Sequence, residues 1–138
     1  MTDFSEQQKQ LKIQKGIRQA EDKLVSDIQD ILDDKTSYGN LEESQFRNLL
    51  RVADSTESPE VIKNFLLYQV GRDRKWGQGQ NSLAKKIINY ISKEIHQKAK
   101  DIAKNANSEE TNLIQIELVR RYLGYGARYL VYKNKGEN

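Results

Sequence analysis

Two arginines carry most of the chemistry this sequence offers. Arg47 stands in Leu41-Glu-Glu-Ser-Gln45-Phe-Arg47-Asn-Leu-Leu50, and Arg72 closes Phe65-Leu-Leu-Tyr68-Gln-Val-Gly71-Arg72. Each belongs to a short apolar run with helical patterning. If the two runs pack as a helical hairpin, they present two fixed cations from one rigid surface. Guanidinium can grip phosphate through paired N–H donors, so such a surface suits phosphate better than catalysis. The alternative for both residues is internal: capping helix ends, or pairing with Glu43 or Asp73 to hold the hairpin.

Further cations extend the candidate interface. Arg72, Arg74 and Lys75 precede Trp76 in a loop with glycines at 71, 77 and 79. Cations neutralise phosphates and gain from counterion release, and an indole stacks on a base for ~1–3 kcal/mol. Trp76 has the alternative of packing back onto the body of the protein. Arg51, Lys85, Lys86, Arg120, Arg121 and Arg128 complete the candidate nucleic-acid contacts. Tyr122, Tyr125, Tyr129 and Tyr132 recur at steps of three and four, a stripe that fits core packing or a subunit interface better than base stacking. Gly124 and Gly126 within the same segment suggest close approach by another helix or a ligand backbone, because helical glycine costs ~1 kcal/mol relative to alanine.

Enzymatic readings find little to use. His96 is the sole histidine, which removes two-imidazole acid–base chemistry, and Asn89–Ile95 before it contain no arginine. There are no cysteines, so disulfides, zinc–thiolate centres and thiol nucleophiles are all excluded. Asp27, Asp30, Asp33 and Asp34 crowd a helix end without a calcium-loop pattern. The glycines at 71, 77 and 79 lack the following lysine–serine or lysine–threonine pair of a phosphate loop. No metal and no cofactor are expected, and the chain is read as non-enzymatic.

The elements that must position these residues are helices. Apolar residues recur at helical steps almost everywhere and alternate as in a strand almost nowhere. Ile13, Ile17, Ala20, Leu24, Ile28 and Ile31 predict a first helix over about 5–34. A capping box from Asn40 to Glu43 predicts a second over about 41–54. Ser58-Pro59-Glu60 starts a third over about 59–71, apolar nearly all round and therefore expected to be the central, most buried element. A fourth follows Leu83, Ile87, Ile91, Ile95, Ala99 and Ile102, and a fifth spans about 109–132, with Ser108 as its cap. The prediction is an all-α, single domain over 1–138, a compact bundle of about five helices with residues 1–4 and 134–138 frayed.

Composition agrees. Of 138 residues, 36% are hydrophobic and 31% charged, enough for one economical core. No stretch is long enough to span a membrane, and the amino terminus lacks the basic start and apolar stretch of a signal peptide. A cytoplasmic protein is expected. The net charge of +3 hides a split: residues 1–60 hold 8 Lys/Arg against 13 Asp/Glu, residues 61–138 hold 15 against 7. Such polarity can attract a polyanion or support head-to-tail stacking of copies.

Three segments look familiar. Leu41-Glu-Glu-Ser-Gln45-Phe-Arg47 resembles the leucine–x–x–serine–glutamine–x–arginine helix of the small helical subunit of type III CRISPR effector complexes. Tyr68-Gln-Val-Gly71-Arg72 is similar to the tyrosine–x–x–glycine–arginine that follows it in that family, and Ala127-Arg-Tyr-Leu-Val-Tyr132-Lys133 resembles its aromatic carboxy-terminal pattern. The resemblance covers roughly residues 40–135. It implies a non-catalytic subunit that self-associates into a minor filament, sits beside other subunits of the effector complex, and contacts the backbone of guide RNA and target RNA. Carried over, Arg47 and Arg72 lead those contacts, with Gln45 and Tyr68 in support. The Arg74-Lys-Trp-Gly loop departs from the family pattern. A protein–protein adaptor with no nucleic-acid role is the alternative.

Overall fold

A computed structural model describes the backbone of residues 2–136 and the side chains of residues 4–136. The chain is an all-α bundle: α1 (Thr2–Asp33), α2 (Glu43–Ser55), α3 (Pro59–Arg72), α4 (Leu83–Tyr90), α5 (His96–Asn105) and α6 (Thr111–Val131). A π-helical turn (Ile91–Ile95) joins α4 and α5 into one rod, so the described residues form five rods. A second π turn (Tyr132–Gly136) follows α6. Thr2 to Phe4 already belong to α1; Met1, Glu137 and Asn138 lie outside the described residues.

The π turn has a cause in the sequence. Leu83, Ile87, Ile91, Ile95 and Ala99 repeat at four residues, and in an α-helix each such step drifts about 40° around the axis. Four steps would carry Ala99 off the core face. The wider π turn absorbs the drift, and all five side chains are buried. Gln115 from α6 secures it. Its Nε2 donates to Ile91 O at 3.1 Å, and its Oε1 lies 3.2 Å from His96 Nδ1.

The central element is α6, not α3. α6 packs against α1, α2, α3 and α5 and buries more than half of its circumference, through Ile114, Leu118, Tyr122, Leu123 and Leu130 among others. Gly126 permits this: a Cβ there would lie 2.8 Å from Phe46 Cζ and 2.9 Å from Ile28 Cγ1, so both α1 and α2 close onto it. Gly124, by contrast, faces open space. α3 buries Ile62, Leu66 and Gln69 but leaves Val61, Leu67 and Tyr68 exposed. Despite its all-round apolarity it packs on one side only, against α2, α4 and α6.

Start signals shift by one or two residues. Glu42, not Asn40, occupies the N-cap of α2, and Gln45 Oε1 accepts from the Glu42 N–H at 2.8 Å. Ser58 holds the N-cap position of α3 with Pro59 at the first helical turn, as its sequence predicts. Ser108 Oγ accepts from the Glu110 N–H at 3.1 Å, just ahead of α6.

Candidate nucleic-acid interface

α2 and α3 form an antiparallel hairpin joined by Thr56, Glu57 and Ser58. Its open end brings the beginning of α2 to the end of α3. Lys75 Nζ, three residues past α3, lies 4.0 Å from Glu42 Oε1, and Trp76 meets Phe46 with ring centroids 5.5 Å apart. Arg47, one turn into α2, and Arg72, the last residue of α3, therefore belong to the same end of the hairpin. Arg74 and Lys75 join them there.

The four cations differ in commitment. Arg47 Nη2 pairs with Glu43 Oε1 at 3.1 Å one helical turn away. Its side chain is 55% exposed, and an exposed pair of this spacing contributes only ~0.3–0.5 kcal/mol, so a phosphate competes readily with Glu43. Arg72 and Arg74 are exposed and make no ion pair or side-chain hydrogen bond with the described residues. Asp73 is not their partner: its Oδ1 accepts the Lys75 backbone N–H at 2.8 Å. Arg51 follows Arg47 by one turn and donates to Asn48 Oδ1 at 2.8 Å. Tyr68 is exposed on α3 one turn before Arg72.

Trp76 does not join this surface. It is fully buried against Phe46, and the loop that carries it folds onto residues 37–39. Gly39 N–H donates to Lys75 O at 3.1 Å and Ala84 N–H to Trp76 O at 3.2 Å. Gly77 has φ +88°, and a Cβ there would lie 2.0 Å from Ser37 O. The glycine is needed for the tight turn that buries the indole, which rules out base stacking by Trp76 in this conformation.

The other expected contacts divide between core support and free surface. Gln45 is occupied in the α2 cap described above. Arg120 donates to Ala53 O at 2.9 Å and to Thr56 O at 3.0 Å, satisfying carbonyls at the end of α2. Arg121 is held by Glu117 at 2.9 Å and Glu21 at 3.0 Å; the bond to Glu117 raises its pKa further. Lys86 pairs with Asp34 at 2.6 Å. Lys85 is half-buried and Arg128 exposed, and neither has an ion pair among the described residues. The tyrosine stripe is mostly structural. Tyr122 stacks on Tyr90 with centroids 4.5 Å apart, Tyr125 donates to Glu21 at 2.7 Å, and Tyr129 donates to Asp33 at 2.6 Å.

No cluster of three His, Cys, Asp or Glu able to hold a metal occurs among the described residues. No described helix is long and apolar enough to cross a membrane. A run the sequence reading passed over lies in α1: residues 7–20 contain Lys9, Lys12, Lys15 and Arg18 and no acid. Counting charge over 1–60 masked it behind the acids that follow.

No protein-family model, curated protein or solved structure matches this chain at a significant level.

Proposed function

We propose that the protein is a non-catalytic, RNA-binding helical subunit of a ribonucleoprotein, of the kind its motifs resemble in type III CRISPR effector complexes. It contacts the backbone of guide and target RNA and stacks with further copies in the assembly. The observation that carries this reading is the shared end of the α2–α3 hairpin. The arginines of the two resembling motifs, Arg47 and Arg72, gather there with Arg74 and Lys75, and Arg72 and Arg74 have no partner among the described residues. A site that meets RNA through phosphates reads charge and shape rather than sequence, which is what a complex programmed by base pairing requires of a helper subunit.

The test is fluorescence anisotropy with labelled RNA strands of unrelated sequence. Wild type binds them with similar affinity. The double variant R47E/R72E loses at least tenfold while its circular-dichroism melt stays within a few degrees of wild type. Unchanged RNA affinity in that variant sinks the arginine assignment.

One observation favours a second reading as a protein–protein adaptor. Val61, Leu67 and Tyr68 on α3 are each 46–59% exposed, a concentration of large apolar side chains that a free helix face seldom carries. Salt-insensitive partner association without any RNA binding would favour that reading.

A further inference from the structure

We infer that the seam between α1 and α5 is a second phosphate-binding groove, built to hold a stretch of nucleic-acid backbone apart from the arginine end of the α2–α3 hairpin. The inference rests on the nucleic-acid reading above but shares none of its residues.

The groove is lined by Lys12, Lys15 and Gln19 of α1 and by Lys98, Asp101 and Asn105 of α5. Its floor forms where the helices cross closely: a Cβ on Gly16 would lie 3.0 Å from Ile102 side-chain atoms. A neighbouring hollow continues it along the same seam through Gln19, Lys98 and Asp101 towards Lys23 and Tyr90. Lys93 of the π turn and Lys100 and Lys104 of α5 stand exposed on the same rod, outside the groove lining. From Lys12 in the groove to Lys23 in its continuation, α1 runs about 16 Å at ~1.5 Å per residue, a reach of several phosphates.

What sets this seam apart is the sign of its charges. Elsewhere α1 meets its neighbours through opposite charges or a carboxylate facing a hydroxyl: Glu21 with Arg121, Asp33 with Lys133, Asp27 with Tyr90. Along the α5 seam, lysine faces lysine. Lys12, Lys15 and Lys98, which line the groove, have no ion pair among the described residues. The acids nearby are few. Asp101 Oδ1 already accepts from Gln97 at 3.0 Å. Glu94 lies near Lys23, whose ammonium pairs with Asp27 at 2.8 Å. Like charges gathered across a groove repel one another, and a bound polyanion removes that cost while releasing its counterions. Compact lysine ammoniums suit a backbone that is tracked rather than read.

The experiment uses the full chain and a short labelled oligouridine. In the variant K12E/K15E/K98E, affinity at low salt should fall at least tenfold. The slope of log affinity against log salt should drop by about two, since each of three phosphates contributes ~0.7 on a single strand. The neutral variant K12Q/K15Q/K98Q should lose affinity less and melt no lower than wild type, because its seam is no longer self-repelling. In a mass-spectrometric footprint, Lys12, Lys15 and Lys98 should be protected from acetylation by the oligouridine, and the paired Lys23 should not. Unchanged affinity and slope, absent protection, or no binding by wild type overturns the groove. Competition by polyglutamate as strong as by RNA overturns the phosphate assignment in favour of an acidic protein. If R47E/R72E abolishes binding and the lysine variants do not, the groove falls alone. If the lysine variants abolish it and R47E/R72E does not, the arginine reading falls and the groove stands.

Discussion

Single side chains in this protein differ most in whether their polar atoms have a partner. Tyr90 and Tyr122 stack face to face, yet Tyr90 Oη donates to Asp27 at 2.6 Å while Tyr122 Oη, fully buried, has no partner among the described residues. Burial raises the pKa of both phenols, so both stay protonated. Removing an unpartnered buried hydroxyl relieves a desolvation cost, whereas removing a partnered one leaves a carboxylate underbonded. Urea denaturation should find Tyr122→Phe neutral or stabilised by up to about 1 kcal/mol, and Tyr90→Phe destabilised by about 1–2 kcal/mol. The same bonds set the acid limb. Burial pushes the Asp27 carboxyl upward, but the bonds from Lys23 and Tyr90 outweigh it and hold it below its ordinary value. Asp33 is held low first by Tyr129 and Asp34 first by Lys86. Depressed carboxylates bind protons more readily in the unfolded chain, so their contribution is present above the ordinary aspartate range and is lost as pH falls below about 4. The urea midpoint should therefore hold steady from pH 7 to about 5 and drop below about 4, with a shallower drop in Tyr90→Phe. Equal stability for the two phenylalanine variants would contradict the hydroxyl assignments.

At the scale of elements, the two glycines of α6 make opposite predictions. Gly126 lies where α1, α2 and α6 meet, so Gly126→Ala drives a methyl into Phe46 and Ile28 and should cost about 1–3 kcal/mol. Gly124 faces open space inside a helix, so Gly124→Ala should gain up to about 1 kcal/mol by limiting the unfolded chain and improving helix propensity. Thermal melts of the two variants should move in opposite directions. The sequence marked both glycines as suspicious but could not rank them, because close approach depends on which partner crosses at that turn. It read helix existence well: all five rods, the proline start of α3 and the four-residue repeat behind the π turn are local signals. It misjudged α3 as the centre, because apolarity counts residues without saying which sides meet another helix. It also assigned Arg120 and Arg121 to the surface, although their acceptors lie at the end of α2 and on α1, as far as 100 positions away in the chain.

Across the whole molecule, the charge split between the two halves of the sequence does not become two faces. Acids of α1 and its trailing turn pair with cations of the basic half: Glu21 with Arg121, Asp33 with Lys133, Asp34 with Lys86. Among the described residues, Arg72 and Arg74 at the hairpin end, Lys12, Lys15 and Lys98 along the α1–α5 seam, and Lys85 and Arg128 elsewhere have no ion pair. These two uses of charge respond differently to salt. Raising sodium chloride from low to about 0.5 M should move the melting temperature by less than about 5 °C, since exposed ion pairs contribute little. Over the same range RNA affinity should fall by an order of magnitude or more. A melt that falls in step with binding would mean that the pairs hold the fold rather than trim its surface. The sequence alone determined that the chain is helical and without thiol or paired-imidazole chemistry, and it set where each helix begins to within a few residues. Periodicity, capping and composition are properties of neighbours in the chain. Only the tertiary structure decided that Trp76 is core, that α6 is the centre and that Arg72 and Arg74 have no partner among the described residues while Arg120 and Arg121 are taken. Burial and partnership depend on residues distant in the chain, and those meet only when the helices close on one another.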